Sequence, residues 1–174
     1  ILNAGISFIS LLDTDVVAVY NYFSVGGLFG VTAKSLIIPA ALIFLSLGAA
    51  LLLSPKISLL CLGDSLASSL GVRVRLLRMV CLICASASAA AVVSFAGLLG
   101  FVGLIVPHIA RKLSGGGMTK TLVLASMVGA TVVMLADTLG RTLFAPTEIP
   151  VGIVMALVGA PFFLVLLLRR REHA

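Results

Sequence analysis

The chain has 174 residues, 61% of them hydrophobic and 10% charged, with twelve Lys and Arg against six Asp and Glu for a net charge of +6. Soluble domains carry about 25% charged residues, so a mean hydropathy of +1.28 leaves too few polar groups to cover a globule, and lipid must cover the apolar surface. Nucleic-acid binding is excluded by distribution: the cations sit in short clusters between apolar runs, with no aromatic-basic platform.

Read in chain order, Ile1 to Leu12 resembles the far end of a membrane helix and shows no basic-then-apolar signal peptide. Residues 13–33 are expected outside the hydrocarbon, with a short helix around Tyr22 to Gly30. Gly26 and Gly30, in small-x-x-x-small spacing, are expected to pack it, while Tyr20, Tyr22 and Phe23 either line a path or anchor at the interface. Ser35 to Pro55 is 21 uncharged residues between Lys34 and Lys56. About 20 residues cross the hydrocarbon, so this predicts a helix over about 34–54.

The loop 55–72 has a fold of its own. Asp64 is a suitable helix N-cap and Gly71 a suitable terminator, and Leu62, Leu66 and Leu70 recur every fourth residue. Residue chemistry leaves two readings open, a capped helix lying on its parent bundle and a docking knob for a partner.

Met79 to Pro107 holds 29 residues without a charge, long for one crossing and short for two separated by a loop. The positive-inside rule decides. If the chain crosses near 73–96 and returns near 98–113, then Lys56, Arg73, Arg75, Arg78, Arg111, Lys112, Lys120 and Arg169 to Arg171 share one face with Asp64 and Glu172, net +8. Lys34 and Arg141 share the other with Asp13, Asp15, Asp137 and Glu148, net −2, which together make the observed +6. Gly97, Gly100 and Gly103 are expected to let backbones approach closely in the short returning helix, and Pro107 to kink it. The run Ala85 to Ala91 likewise suits tight packing. Two further helices follow at about 119–141 and 149–168, the latter 20 uncharged residues from Ile149 to Leu168.

Chemistry-bearing residues are sparse. Cys81 and Cys84 lie one turn apart inside an apolar segment and read as small packing residues. Lone His108 has no acidic neighbours and makes a poor metal site. Gly117 to Thr121 has Thr119 where a phosphate-binding loop needs glycine, and no membrane helix carries paired carboxylates. No catalytic residue, metal or bound cofactor is expected. Asp137 and Arg141, one turn apart, read as a self-neutralising pair; Asp137 is alternatively the ion site of a secondary transporter.

Several segments together resemble the FecCD-type permease subunits of bacterial ABC importers for iron-siderophore, haem and cobalamin uptake. They are Leu2 to Ile6, Tyr22 to Leu28, Leu60 to Asp64 with Ala67 and Leu70 to Val72, Gly100 to Arg111, Gly129-Ala130, Ala136-Asp137 with Arg141, Glu148 to Ile153, and Gly159 to Phe163. The likeness runs in order along nearly the whole chain and covers the C-terminal half of such a subunit. It implies an all-α polytopic bundle of the type II importer kind: about five membrane helices, a short periplasmic helix and a cytoplasmic coupling helix. The expected setting is the bacterial inner membrane with a cytoplasmic C-terminus.

By the resemblance, Leu62, Gly63, Asp64, Leu66, Ala67, Leu70 and Gly71 form the element that seats on a separate ABC ATPase, which binds the ATP. Arg141 is similar to the arginine that receives an acidic residue of a periplasmic or lipid-anchored binding protein, and a second permease copy completes the dimer. Tyr22, Phe23, Gly26 and Gly27 are implied near the translocation path, and Gly100, Gly103, Pro107, Gly159 and Pro161 as packing or kink positions. A truncated half-permease that packs but carries nothing is a further expectation for this length. Asp13-Thr14-Asp15 and Ser114 to Met118 depart from the family pattern.

Overall fold

A computed structural model describes residues 14–28, 30–143 and 149–171. The expected helix end at 1–12, together with Asp13, Glu148 and Glu172, lies outside the described residues. Seven helices follow in order: α1 Thr14–Val25, α2 Ala33–Leu60, α3 Asp64–Ser69, α4 Val74–Ala96, α5 Val102–Ser114, α6 Met118–Thr142 and α7 Val151–Arg171.

Three of them, α2, α4 and α6, are long and apolar enough to cross a membrane, and Val151–Leu164 within α7 is a shorter apolar stretch. Their apolar side chains are largely uncovered by protein: Ile38, Phe44, Leu52, Leu82, Met134 and Leu157 are all exposed. In water that would be untenable; in lipid it is the expected boundary.

Several expected boundaries shift. The first short helix ends at Val25 instead of spanning Tyr22 to Gly30, because Gly26 takes φ 77° and Gly30 φ 72° and the chain leaves the helix at the first of them. Gly26 and Gly30 therefore do not form a helical packing pair. α2 runs six residues past 54, carrying Pro55 and Lys56 inside it. Pro55 cannot donate to the Leu51 carbonyl; the Ser54 hydroxyl does so instead at 2.8 Å, which lets the helix continue.

The uncharged run 79–107 does break in two. α4 ends at Gly97, which sits at φ 68° and ψ −157°, and α5 begins only at Val102. With 13 residues, α5 spans about 20 Å at 1.5 Å per residue, short of the roughly 30 Å hydrocarbon. Its N-cap is Phe101 in the left-handed region at φ 62°, a conformation uncommon for a non-glycine residue.

Packing sets the arrangement of ends. α2 packs chiefly on α4 and α5 chiefly on α6, with α7 against α6 and α5. The Ser54 hydroxyl, its own proton committed to Leu51, accepts from Thr119 at 2.7 Å, and Thr121 donates to Ser114 at 2.7 Å. The start of α6 and the end of α5 therefore lie beside the α3 end of α2. At the opposite end, Ile149 N–H donates to the Gly140 carbonyl at 3.2 Å, so α7 starts where α6 finishes. It then passes Phe101 at Gly159 and His108 at Phe162, where the rings meet edge-on at 6.1 Å. Chain direction thus gathers Lys56, Arg73, Arg75, Arg78, Arg111, Lys112, Lys120 and the final turn of α7 at one end. Lys34 and Arg141 are left at the other.

Candidate functional site: two ends of the bundle

At the basic end, α3 stands between α2 and α4. Gly63, not Asp64, is its N-cap, with φ 118°. Asp64 falls in the first turn and its carboxylate accepts from Arg78 Nη2 at 2.7 Å, which ties α3 to α4. The pair is about half exposed at both partners, so it orients more than it stabilises.

The other terminus is closed by backbone. Gly71 at φ 79° donates to the Ser68 carbonyl at 3.0 Å and Val72 to the Ala67 carbonyl at 3.0 Å, the paired bonds of a Schellman termination. Ala67 is fully buried against the bundle, whereas Leu62, Leu66 and Leu70 are 66%, 49% and 58% exposed. A short helix held by one buried alanine, one ion pair and a locked terminus thus exposes Leu66, with Leu62 just before it and Leu70 at its C-cap exposed as well.

The opposite end is built from main chain. Gly27 N–H donates to the Ala96 carbonyl at 2.8 Å, Leu98 N–H to Phe23 at 3.0 Å, and Gly152 N–H to Gly26 at 3.1 Å. These bonds fasten the end of α1, the α4–α5 break and the start of α7 together. Glycine is required at the crossings: a Cβ on Gly97 would lie 2.5 Å from the Phe23 carbonyl oxygen, and one on Gly26 2.7 Å from that of Leu98. A Cβ on Gly152 would overlap the Val25 carbonyl, and one on Gly159 the Phe101 side chain.

Gly100 and Gly103 behave otherwise: among the described residues nothing lies within 4 Å of a Cβ built on either, so they mediate no close approach there. Gly97, Gly152 and Gly159 take that part. Pro107 and Pro161 lie inside α5 and α7, where each removes one helical N–H donor.

Beside this glycine node a cavity of about 230 Å³ is lined by Tyr22, Gly27, Leu28, Asp137, Arg141, Ile149, Pro150 and Val151. Arg141 Nε donates to Asp137 Oδ2 at 2.9 Å, and the Tyr22 ring folds over Gly27. Of the residues implied near a path, Tyr22 and Gly27 therefore line this cavity; Gly26 is buried in the node and Phe23 contributes its carbonyl to it. Cys81 and Cys84 are free thiols beside α2, and no metal-binding cluster of His, Cys, Asp or Glu occurs among the described residues.

The close approach expected at Gly97 is present, whereas sequence reasoning missed the Asp64–Arg78 pair, fourteen residues apart, and the role of Gly152. The sequence signal for Gly97 was a glycine within an apolar run too long for one crossing, which needs a reversal point.

Apolar helices joined at one end by close-packed glycines, with a basic end carrying a short leucine-faced helix, define a polytopic α-helical membrane bundle. Residues 1–169 match the model of the FecCD transport family. The chain is 45% identical over 116 residues to the Fe(3+)-citrate import system permease protein YfmE of Bacillus subtilis, covering 67% of this chain and 35% of that one. It is 38% identical over 154 residues to the hemin transport system permease protein HmuU of Yersinia pestis, covering 88% and 46%. It is 39% identical over 134 residues to the Fe(3+) dicitrate transport system permease protein FecD of Escherichia coli, covering 77% and 42%. A solved metal-chelate type ABC transporter in an inward-facing conformation superposes with a TM-score of 0.86 at 31% identity, covering 96% of this chain and 55% of the other. The chain belongs to the FecCD transport family, and it spans less than half the length of these curated relatives.

Proposed function

We propose that this chain forms part of the permease subunit of an ATP-driven importer for iron chelates (siderophore or haem) or cobalamin, in the bacterial inner membrane. Substrate crosses by alternating access, with no covalent chemistry in this polypeptide, and the energy comes from ATP bound and hydrolysed on a partner subunit. In this reading the basic end faces the cytoplasm and the C-terminus lies there, which the gathering of cations at that end supports through the positive-inside rule.

The observation that carries the reading is α3. Exposed Leu66 and its flanking leucines Leu62 and Leu70, around a helix seated by buried Ala67 and tied by Asp64–Arg78, form an apolar knob that a groove of an ATPase can grip. A knob fixed to both α2 and α4 transmits a rigid-body displacement to two membrane helices at once. At the other end, Arg141 is 43% exposed at its side chain and oriented by Asp137, which suits docking of an acidic residue of a binding protein. The subunit acts as a dimer with a second permease copy. A secondary transporter coupled through Asp137 is disfavoured by the same pair, since a carboxylate bonded to Arg141 is already neutralised.

The test is transport by the full-length protein with Leu66→Asp and Leu70→Asp together. ATP-dependent chelate uptake is expected to fall at least on the order of ten-fold, as for loss of a central apolar anchor, with the protein still folded and inserted. Unchanged uptake rejects the coupling role; uptake that follows membrane potential and ignores ATP replaces it with the secondary-transporter reading.

A further inference from the structure

Beside the turn that closes α3 lies a second cavity, of about 380 Å³, between α2, residues 70–72 and the start of α4. It is lined by Leu53, Lys56, Leu70, Arg73, Leu76 and Val80, among others. Its chemistry is divided by depth. Lys56 and Arg73 stand at the loop end, both exposed. From Arg73 to Val80 the wall is apolar on the α4 side, a rise of about 10 Å at 1.5 Å per residue, and Leu53 continues it on α2.

Among the described residues the two cations have no acid to answer them. The ion pairs among the described residues are Asp64–Arg78 and Asp137–Arg141, the first turn of α4 holds no acidic residue, and no Asp or Glu lines the cavity. Both helices on its walls are membrane-span candidates, so it opens where lipid headgroups lie.

We infer that this cavity is a binding site for an anionic phospholipid, its phosphate held between Lys56 and Arg73 and an acyl chain laid along Leu53, Leu76 and Val80. A basic rim over an apolar wall at the headgroup level is the pattern that selects an anionic lipid over a zwitterionic one. A soluble phosphate satisfies the rim and leaves the wall wet; a phospholipid satisfies both. Leu70 and Gly71 line the same cavity, so a bound lipid braces the closed end of α3 against α2 and α4 opposite the Asp64–Arg78 tie. The site requires the chain to lie in a bilayer and shares Leu70 and Gly71 with the end of α3, so its test reads lipid retention and not transport.

The experiment uses the full-length permease in nanodiscs of mixed phosphatidylcholine and phosphatidylglycerol, re-extracted into detergent, with the retained lipids quantified by mass spectrometry. Wild type is expected to retain phosphatidylglycerol well above its share in the disc. Each basic residue near an anionic surface is worth on the order of five-fold in affinity, so Lys56→Gln with Arg73→Gln is expected to abolish the enrichment. Arg111→Gln with Lys112→Gln, at the same end but outside the cavity, is expected to preserve it. Leu76→Trp keeps both charges and fills the apolar wall; it too is expected to lower retention, and it decides the matter if the double variant fails to fold. Undiminished enrichment in the Lys56/Arg73 double, or in Leu76→Trp when that double does not fold, overturns the site. Equal loss in both double variants overturns it in favour of diffuse surface attraction. Loss of a co-purifying protein with lipid retention intact assigns the cavity to that protein instead.

Discussion

The two ends of this bundle are held by different physics. At the α3 end the helices meet through side chains: one ion pair, one buried alanine, and hydroxyl pairs at Ser54–Thr119 and Ser114–Thr121. At the opposite end three segments are joined by main-chain hydrogen bonds at glycines that leave no room for a Cβ. Side-chain links can be remade as partners move, whereas carbonyl-to-glycine packing is stiff and all-or-none. One end is therefore suited to receive a push and the other to keep its segments moving as a unit.

Breaking the stiff end has the largest expected effect. Gly152→Val drives a side chain into the Val25 carbonyl and disturbs the bond to Gly26; the expected outcome is loss of monodisperse protein, at a cost above about 4 kcal/mol. Gly97→Ala combines a Cβ clash with Phe23 and a backbone conformation that only glycine adopts readily, for about 3 kcal/mol read as lower thermal stability in detergent. The exposed ion pair at the same end should matter to association more than to stability. Arg141→Glu is expected to weaken binding-protein association on the order of ten-fold at low salt and less at high salt, because an exposed charge is screened; salt-independent binding, equal to wild type, contradicts docking there.

The smallest effect sharpens the contrast. Gly103→Ala meets open space and lies inside a helix, so stability should stay the same or rise by about 0.5 kcal/mol. If Gly103→Ala harms the isolated chain as much as Gly97→Ala does, the glycine assignment is wrong.

Much of the fold was legible because charge reports where a chain leaves lipid. The run 79–107 had to break, since only two crossings put the basic clusters together, and the break falls at Gly97 to Phe101. Helix ends were less legible: the uncharged run ends at Pro55, but α2 continues because Ser54 replaces the donor that proline lacks. Asp64 looked like an N-cap from its neighbours in sequence, and its partner proved to be Arg78, fourteen residues on. Glycine was the hardest to read. It permits close approach anywhere, and only the folded partner distinguishes Gly97, which a carbonyl faces, from Gly100, which no described residue faces. The Leu62–Leu66–Leu70 face was visible from spacing, whereas its seating on Ala67 required the packed structure.

The most direct measurement is affinity purification of the full-length protein from its native membranes, with mass spectrometry of what accompanies it. Wild type should bring down an ABC ATPase, and the Leu66→Asp, Leu70→Asp double variant should lose it while reaching the membrane in equal amount. A clean preparation in detergents that keep such complexes intact, or an ATPase that stays with the double variant, would contradict the assignment of α3 as the coupling element.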